Sequence, residues 1–209
     1  MTTLVLAPHP DDEVIGCGGT LALLGEEHER VVVAFLTSGE LGLPQLDADQ
    51  ARSRREAEAE QASPLLQLDR LLFLRQPDWG LTDVVEPTVH LLREQLTGED
   101  ISRVYLPHAG DGHPDHAAAA QIGRRWAASL PTRVELRAYE VWSPLPTWDL
   151  VHDITSVMDR KLAAVAAYAS QDFYNYGQAV TGLARYRGAL AARTAYAEVF
   201  AQVTVEEQS

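Results

Sequence analysis

Residues 9–13 place one imidazole and three carboxylates within five positions, as His-Pro-Asp-Asp-Glu, directly after an apolar run. A second stretch, residues 107–116, reads PHAGDGHPDH and supplies three histidines and two aspartates. Imidazole nitrogens and carboxylate oxygens are the ligands of catalytic Zn²⁺, and the same donors also bind Fe²⁺, Co²⁺ or Mn²⁺. The two stretches therefore predict a divalent metal site and leave the identity of the ion open.

The adjacent aspartates of the first stretch suggest a division of labour. Because consecutive side chains cannot both point the same way, one of Asp11 and Asp12 can bind the ion while the other reaches a water. A free carboxylate beside a cation can accept the proton of that water as it attacks a substrate. Taken singly, each Asp is equally well explained as a helix N-cap, and His113 or His116 as a capping or surface imidazole. Their joint occurrence favours the metal site.

The elements around these residues alternate between strands and helices. Apolar runs at 3–8, 30–40, 70–76, 102–110 and 133–142 are typical of strands buried on both faces of a parallel sheet. Helices are predicted at 13–25, 47–62, 84–97 and 113–130, the second ending at Ser63 because Pro64 disfavours helical angles in its predecessor. A short strand within 144–155 and two helices, 156–168 and 180–201, complete the chain.

This alternation predicts an α/β fold, a doubly wound and mostly parallel sheet with helices on both faces, in a single domain over 1–209. In such sheets, ligands bind outside the carboxyl ends of the strands at a topological switch point. The first and fourth strands are commonly neighbours there. We therefore expect the stretch after the first strand and the stretch after the fourth to face each other across one crevice.

The glycines that follow the first stretch, Gly16, Gly18 and Gly19, do not meet the spacing of a dinucleotide-binding fingerprint. They are better explained by a close approach of chain or substrate to the first helix. Cys17, the only cysteine, is expected to be a small buried hydrophobe rather than a metal ligand.

The overall charge restricts the class of partner. The formal charge is −13, from 17 Lys plus Arg against 30 Asp plus Glu, so the surface field repels nucleic acid and anionic lipid. The stretch MTTLVLAPHPDDE has neither the basic segment nor the long apolar segment of a secretory signal, and no apolar stretch in the sequence approaches the roughly 20 residues that span a bilayer. We expect a small-molecule substrate, no nucleic-acid partner, no membrane insertion and a cytoplasmic location.

The sequence resembles a known enzyme family at several separate blocks. These blocks are PHPDDEVIGCGGTLA, FLTSGE, RSRREAEAE, LRQPDWGL, the downstream HPDH, and GLARYRGALAARTAYAEVF. They are similar to the PIG-L, or LmbE-like, family of metal-dependent N-acetylglucosaminyl deacetylases, and the resemblance extends over essentially the whole chain. It implies a Rossmann-like fold, in agreement with the pattern of strands and helices.

The resemblance also implies roles for individual residues. His9, Asp12 and His116 would bind zinc, and Asp11 would be the general base. His113 would be a partly charged group that stabilises the oxyanion or protonates the leaving amine. Asp115 would hydrogen-bond to an imidazole and hold its orientation.

The sequence is less specific about which residues contact the substrate. Asp78 and Arg55, or its neighbours Arg52 and Arg54 in place of Arg55, match positions that contact sugar hydroxyls or a phosphate in the family. A solvated helix face explains the run around Arg55 equally well. Segments 40–50 and 171–176 are where substrate choice would be determined. The resemblance also allows a homo-oligomer, with Trp142 and Trp148 either in its interface or packed in the core.

The function predicted from these features is a zinc-dependent hydrolase that removes an acetyl or other short acyl group from an N-acylated amino sugar or its conjugate. The main alternative keeps the metal and changes the bond, to a non-sugar amide, an ester or a phosphoester. A catalytically inactive binding protein is a further alternative, which the presence of both Asp11 and His113 disfavours.

Overall fold

A computed structural model describes residues 1–204, so residues 205–209 of the predicted domain lie outside the described part. The strands are β1 (Thr2–Ala7), β2 (Arg30–Thr37), β3 (Arg70–Gln76), β4 (Ile101–Pro107), β5 (Glu135–Tyr139), β6 (Leu150–Asp153) and β7 (Ala197–Val203). The helices are α1 (Asp12–Glu26), α2 (Ala48–Leu66), α3 (Val85–Gln95), α4 (Pro114–Ala128), α5 (Met158–Ala167) and α6 (Tyr176–Arg187).

The seven strands form one sheet in the order β3-β2-β1-β4-β5-β7-β6. Strands β1 to β5 are parallel, and β7 pairs antiparallel with both β5 and β6. The predicted fold class, a single α/β domain with a mostly parallel doubly wound sheet, is confirmed. Since β1 and β4 are neighbours, the turns that follow them open at the same edge of the sheet.

Two apolar layers cover the sheet, one on each face. Along β1, Leu4 and Leu6 face the layer that includes α3 and α4, while Val5 and Ala7 face the layer that includes α1 and α5. This alternation is what a strand buried on both faces requires. Packing of both layers against β1 and β4 fixes the carboxyl ends of these strands, so the turns that follow start from fixed positions.

The predicted end of the second helix is wrong. Helix α2 continues through Pro64 and ends at Leu66. The capping residue that follows, Gln67, has a φ of 57°, in the left-handed region. The proline costs little there because it lies within the last turn, where Ser63 and Pro64 carbonyls accept hydrogen bonds from Leu68 and Gln67.

The predicted helix over 180–201 is correct in its first part but extends too far. Helix α6 ends at Arg187, one π-helical turn follows at Gly188–Ala192, and β7 begins at Ala197. The alanine-rich sequence has high helix propensity, but residues 197–200 are buried and pair with β6, and residues 201–203 pair with β5. Tertiary pairing therefore overrides local propensity in this segment.

The close approach expected at the glycines of α1 is observed. A Cβ on Gly19 would lie 2.7 Å from the Ile154 side chain, and one on Gly16 would lie 2.9 Å from the Glu140 carbonyl oxygen and overlap the Tyr139 ring. Cys17 is fully buried between them, as predicted. Over residues 1–204, none of the helices has the length and apolar character needed to cross a membrane.

Candidate metal centre and active site

The turn from β1 into α1 is held in a strained conformation. Asp11 precedes the helix with a φ of 132°, which is rare for a residue with a side chain, and it is 4% exposed. Its backbone N–H donates to Glu13 Oε2 at 3.1 Å, and Glu13 Oε1 in turn accepts a hydrogen bond from the Tyr168 hydroxyl. Backbone strain of this kind persists only where surrounding contacts enforce it, and it is concentrated at functional sites.

The turn from β4 into α4 positions the second group of side chains. His113 caps α4, with Nδ1 accepting a hydrogen bond from the Asp115 backbone N–H at 3.2 Å, and Pro114 is at the first helical position. The helix then directs Asp115 and His116 into the protein, where both are fully buried. The short motif His-Pro-Asp-His therefore supplies one half-exposed side chain, that of His113, and two buried ones, those of Asp115 and His116.

Three of the predicted ligands converge on one point. Asp12 Oδ2 lies 3.1 Å from His9 Nδ1 and 3.3 Å from His116 Nε2. Donor atoms bound at about 2.0–2.1 Å in a tetrahedron lie about 3.3 Å apart, so both distances from Asp12 Oδ2 match those between zinc ligands. One donor atom of each of the three residues lies within 4.8 Å of the other two. His116 Nε2 is also buried without a hydrogen bond of acceptable geometry in residues 1–204, and a cation would satisfy it.

Carboxylates flank the far sides of both imidazoles. His9 Nε2 lies 3.1 Å from Asp78 Oδ1 and 3.3 Å from Asp115 Oδ2, while His116 Nδ1 lies 3.1 Å from Asp111 Oδ1. A carboxylate on the nitrogen opposite the metal fixes the tautomer and increases the basicity of a histidine ligand. The arrangement is therefore that of a metal centre with its supporting shell.

The electrostatics of the cluster are consistent with displacement of protons by a cation. Burial lowers the pKa of His116, but Asp12 and Asp111 raise it to about 9. His9 behaves similarly: its burial lowers the pKa, and the surrounding carboxylates raise it well above the usual value. In the absence of an ion the imidazoles hold protons that balance the carboxylates, and a metal ion would replace them.

Asp11 lies beside this cluster and contacts a different partner. Its Oδ2 is 3.1 Å from an Arg55 guanidinium nitrogen, and Arg55 also donates to the carbonyl oxygens of Gly39 and Pro10. Burial raises the pKa of Asp11, and Arg55 opposes that effect, leaving the pKa at about 7. A carboxylate with this pKa can both accept and release a proton near neutral pH.

The pKa of His113 bears on the partial charge predicted for its ring. Burial and the nearby imidazoles of His9 and His116 lower the pKa of His113, so its ring is neutral near pH 7. Because Nδ1 accepts the hydrogen bond from Asp115, the proton of the neutral ring is on Nε2. His113 is therefore a neutral hydrogen-bond donor, and its ring packs edge-on against Trp79 at 4.4 Å.

A second combination of donors, His9, His113 and Asp115, also lies close together. It fits a metal less well, because His113 Nδ1 and both Asp115 oxygens already accept backbone hydrogen bonds, from Asp115, Trp79 and Leu81. His9, Asp12 and His116 are therefore the better candidate ligands.

The cluster opens into a cleft of about 440 Å³. Its walls carry the predicted site residues His9, Asp11, Asp12, Arg55, Asp78 and His113, together with Trp79, Trp142, Gln171, Tyr174 and Tyr176. Arg55 and Asp78, the predicted substrate contacts, border the cleft but are engaged with Asp11 and His9. Their role in substrate binding stays a prediction.

Asp111 and Glu13 belong to the two predicted charged stretches, but no individual role was predicted for either of them or for Tyr168. Asp111 accepts hydrogen bonds from the backbone of Trp142 and Ser143 and so ties the β4–α4 turn to the segment after β5. The Glu13–Tyr168 contact joins residues far apart in the sequence. Asp111 was placed near the site by the histidine-rich turn, and Tyr168 lies in the YASQ block that resembles the family, but their contacts depend on the tertiary structure.

Comparison with known proteins agrees with this geometry. Residues 4–127, more than half of the chain, match the family described as GlcNAc-PI de-N-acetylase, or PIG-L. The chain belongs to this family. The match includes both turns of the metal centre, so the predicted family is confirmed.

Individual relatives support membership of this family. The diacetylchitobiose deacetylase of Thermococcus kodakarensis is 30% identical over 190 residues, covering 80% of this chain and 69% of the relative. The conserved protein TT1542 from Thermus thermophilus is 33% identical with a TM-score of 0.85, covering 99% and 96% of the two chains. The N,N'-diacetylchitobiose deacetylase from Pyrococcus horikoshii, at 22% identity, TM-score 0.83 and coverage of 97% and 83%, shares the fold.

Proposed function

We propose that this protein is a zinc-dependent deacetylase that hydrolyses the amide of an N-acetylated amino sugar or its conjugate. The observation that carries the proposal is the division of the adjacent aspartates. Asp12 contacts the two candidate ligand histidines, while Asp11 contacts Arg55 and borders the cleft. Membership of a deacetylase family supports the type of reaction.

His9, Asp12 and His116 would hold the ion, and two nitrogen donors with one oxygen donor suit Zn²⁺. When bound, a divalent cation polarises the amide carbonyl and makes a nearby water more acidic. Three protein ligands would leave room at the ion for a water or a substrate atom, and the cleft gives such molecules access. Fe²⁺, Co²⁺ and Mn²⁺ accept the same donors, so the ion is a proposal that metal analysis decides.

Asp11 accepts the proton of the attacking water in this mechanism. Its carboxylate is held by Arg55 and by the strained turn, so it is oriented before substrate binds. Once protonated, Asp11 can return the proton to the departing nitrogen as the carbon–nitrogen bond breaks. The products are a free amine and a carboxylate, which balances the reaction.

His113 stabilises the charge that develops on the carbonyl oxygen. Its Nε2–H is available because Nδ1 is occupied by the Asp115 backbone, and a neutral donor needs no proton uptake before each turnover. A fixed donor of this kind acts most strongly in a partly buried cleft.

The substrate class is supported by the relatives and by the composition of the cleft. The names of the Thermococcus and Pyrococcus relatives describe deacetylation of an acetylated disaccharide. In this chain, Trp79, Trp142 and Tyr174 border the cleft and present faces on which a sugar can stack. The cytoplasmic location and a homo-oligomer stay predictions.

A substrate panel tests the proposal. Protein stripped of metal and reloaded with Zn²⁺ is offered N-acetylglucosamine conjugates, simple N-acetyl amines, esters and phosphoesters. Release of free amine is measured for the amides, and release of the alcohol for the esters and phosphoesters. Metal-dependent amine release from the sugar conjugates supports the proposal. Hydrolysis confined to esters or phosphoesters would assign the site to a different bond.

A further inference from the structure

A second cavity, of about 290 Å³, lies beside the catalytic cleft. We call it the apolar pocket and define it by Ile15, Val141, Pro144, Ala179, Val180 and Leu183. Three aromatic residues, Trp142, Tyr174 and Tyr176, line both the apolar pocket and the catalytic cleft. The two cavities are therefore neighbours across a shared aromatic wall.

The charged residues in the walls of the apolar pocket are already paired. Lys161 Nζ lies 2.5 Å from Glu198 Oε1 and donates to the Ile15 carbonyl oxygen, while Glu140 pairs with Arg187 and accepts from the Leu145 backbone. None of their side-chain atoms is among the buried polar atoms that lack a partner in residues 1–204. The catalytic cleft differs, because the unpartnered atoms of Asp78, Arg55 and His116 lie in or beside it. The apolar pocket therefore offers burial rather than hydrogen bonds.

The shared wall leaves large aromatic surfaces accessible to a ligand. Trp142 and Tyr174 are each 47% exposed, their rings meet edge-on at 5.4 Å, and Tyr176 stacks on Tyr174 at 5.3 Å. Exposed apolar surface of this kind, next to a catalytic cleft, is typical of ligand-binding grooves. A cavity of about 150 Å³ is enough to bind benzene, so this one accepts an aryl ring or a short alkyl chain.

We propose that the apolar pocket binds an apolar substituent of the substrate, an alkyl or aryl group attached close to the hydrolysed amide. The inference rests on the proposed function, since it assumes that the sugar amide occupies the adjacent cleft. The substituent is carried either at the glycosidic position or on the acyl group. The enzyme therefore selects substrates with such a group over plain N-acetylglucosamine.

Two substrate series test this inference on the zinc-loaded enzyme. One varies the glycoside of N-acetylglucosamine from methyl to butyl, hexyl and phenyl. The other keeps the methyl glycoside and lengthens the acyl group from acetyl to butanoyl and hexanoyl. Burial of each added methylene is expected to raise kcat/KM about fourfold in the series that reaches the apolar pocket, and a flat response in both series overturns the inference.

Variants on one helix locate the effect. Ala179→Phe places a ring in the apolar pocket and is expected to flatten the rising series, whereas Leu183→Ala enlarges the pocket and moves the best substrate to a longer chain. Gln178→Phe, on the exposed neighbouring position outside the pocket lining, is the matched control and keeps the wild-type slope. An unchanged slope in both Ala179→Phe and Leu183→Ala contradicts the inference.

A binding measurement separates this inference from the proposed function. Calorimetry on the zinc-loaded enzyme compares hexyl and methyl glycosides of glucosamine, the expected amine products. If the hexyl compound binds at least about tenfold more tightly although no substrate releases amine, the apolar pocket stands and the proposed function fails. If Ala179→Phe changes the molecular mass in solution and not the discrimination between chain lengths, the surface joins copies of the chain and the inference is wrong.

Discussion

Each of the two turns that build the site carries a pair of residues of the same type, and the two members of each pair have different roles. At the β1–α1 turn, Asp11 and Asp12 are both buried, and a strained backbone separates them so that one contacts Arg55 and the other the histidines. At the β4–α4 turn, His113 and His116 lie three residues apart, yet burial and nearby imidazoles lower the pKa of one, while carboxylates raise that of the other to about 9. The surroundings, rather than the residue type, set the role of each group.

The largest expected effect comes from removing the ligand in the second turn. His116→Ala takes away one of three ligands, so both metal content and activity fall to the level of the stripped protein. Metal analysis of the dialysed protein measures this directly. The control is His108→Ala in the same turn, because His108 Nε2 contacts the Ser143 carbonyl oxygen instead and its loss leaves the metal bound. Retention of metal by His116→Ala would contradict the assignment of the ligands.

His113→Ala sharpens the contrast within the same turn. It is expected to lower kcat by about 10²–10³-fold while leaving the metal bound, because it removes a donor to the carbonyl oxygen and no ligand. Because the donor is neutral, wild-type activity is expected to persist as the pH rises to about 8. A wild-type profile that falls as the pH rises through about 6 to 7 would show that a charged His113 is required instead.

Arg55→Met tests how the first turn controls Asp11. Asp11 must be ionised to accept a proton, so activity is lost as the pH falls through its pKa, which is about 7 without an ion and lower when a cation is bound. Removing the Arg55 charge raises that pKa, and the acidic limb of the kcat/KM profile moves upward by about one pH unit. Arg52→Met, which loses a contact to the exposed Asp49, is the control and keeps the wild-type profile. If the acidic limb of the kcat/KM profile of Arg55→Met stays at the wild-type pH, Arg55 does not control the pKa of Asp11.

The smallest effect is expected from the helix that supports the first turn. Gly16→Ala adds a Cβ that overlaps the Tyr139 ring and approaches the Glu140 carbonyl oxygen, so it should destabilise the fold by about 1–3 kcal/mol. Urea denaturation measures this change. Gly182→Ala is the control, since no atom lies within 4 Å of its added Cβ. Equal stability of the two variants would show that α1 can shift away from β5.

The parts of the molecule that follow local rules could be predicted from the sequence. Strands β1 to β5 were recognisable because each is a buried apolar run, and the pairing of β1 with β4 follows from doubly wound topology. Strand β7 was missed because its alanine-rich approach favours a helix and its pairing depends on distant residues. The lowered pKa of His113 and the Arg55–Asp11 contact could not be predicted for the same reason, since burial and charge at these positions arise only in three dimensions.

The most direct test of the account compares Asp11→Asn with the wild type, both loaded with Zn²⁺, for metal content and for amine release from an N-acetylglucosamine conjugate. The substitution keeps the shape of the side chain and removes its ability to accept a proton. The account predicts full metal content with turnover reduced by about 10²–10⁴-fold. Near-normal turnover in Asp11→Asn, or loss of its metal, would contradict the central claim that the two adjacent aspartates divide base and ligand between them.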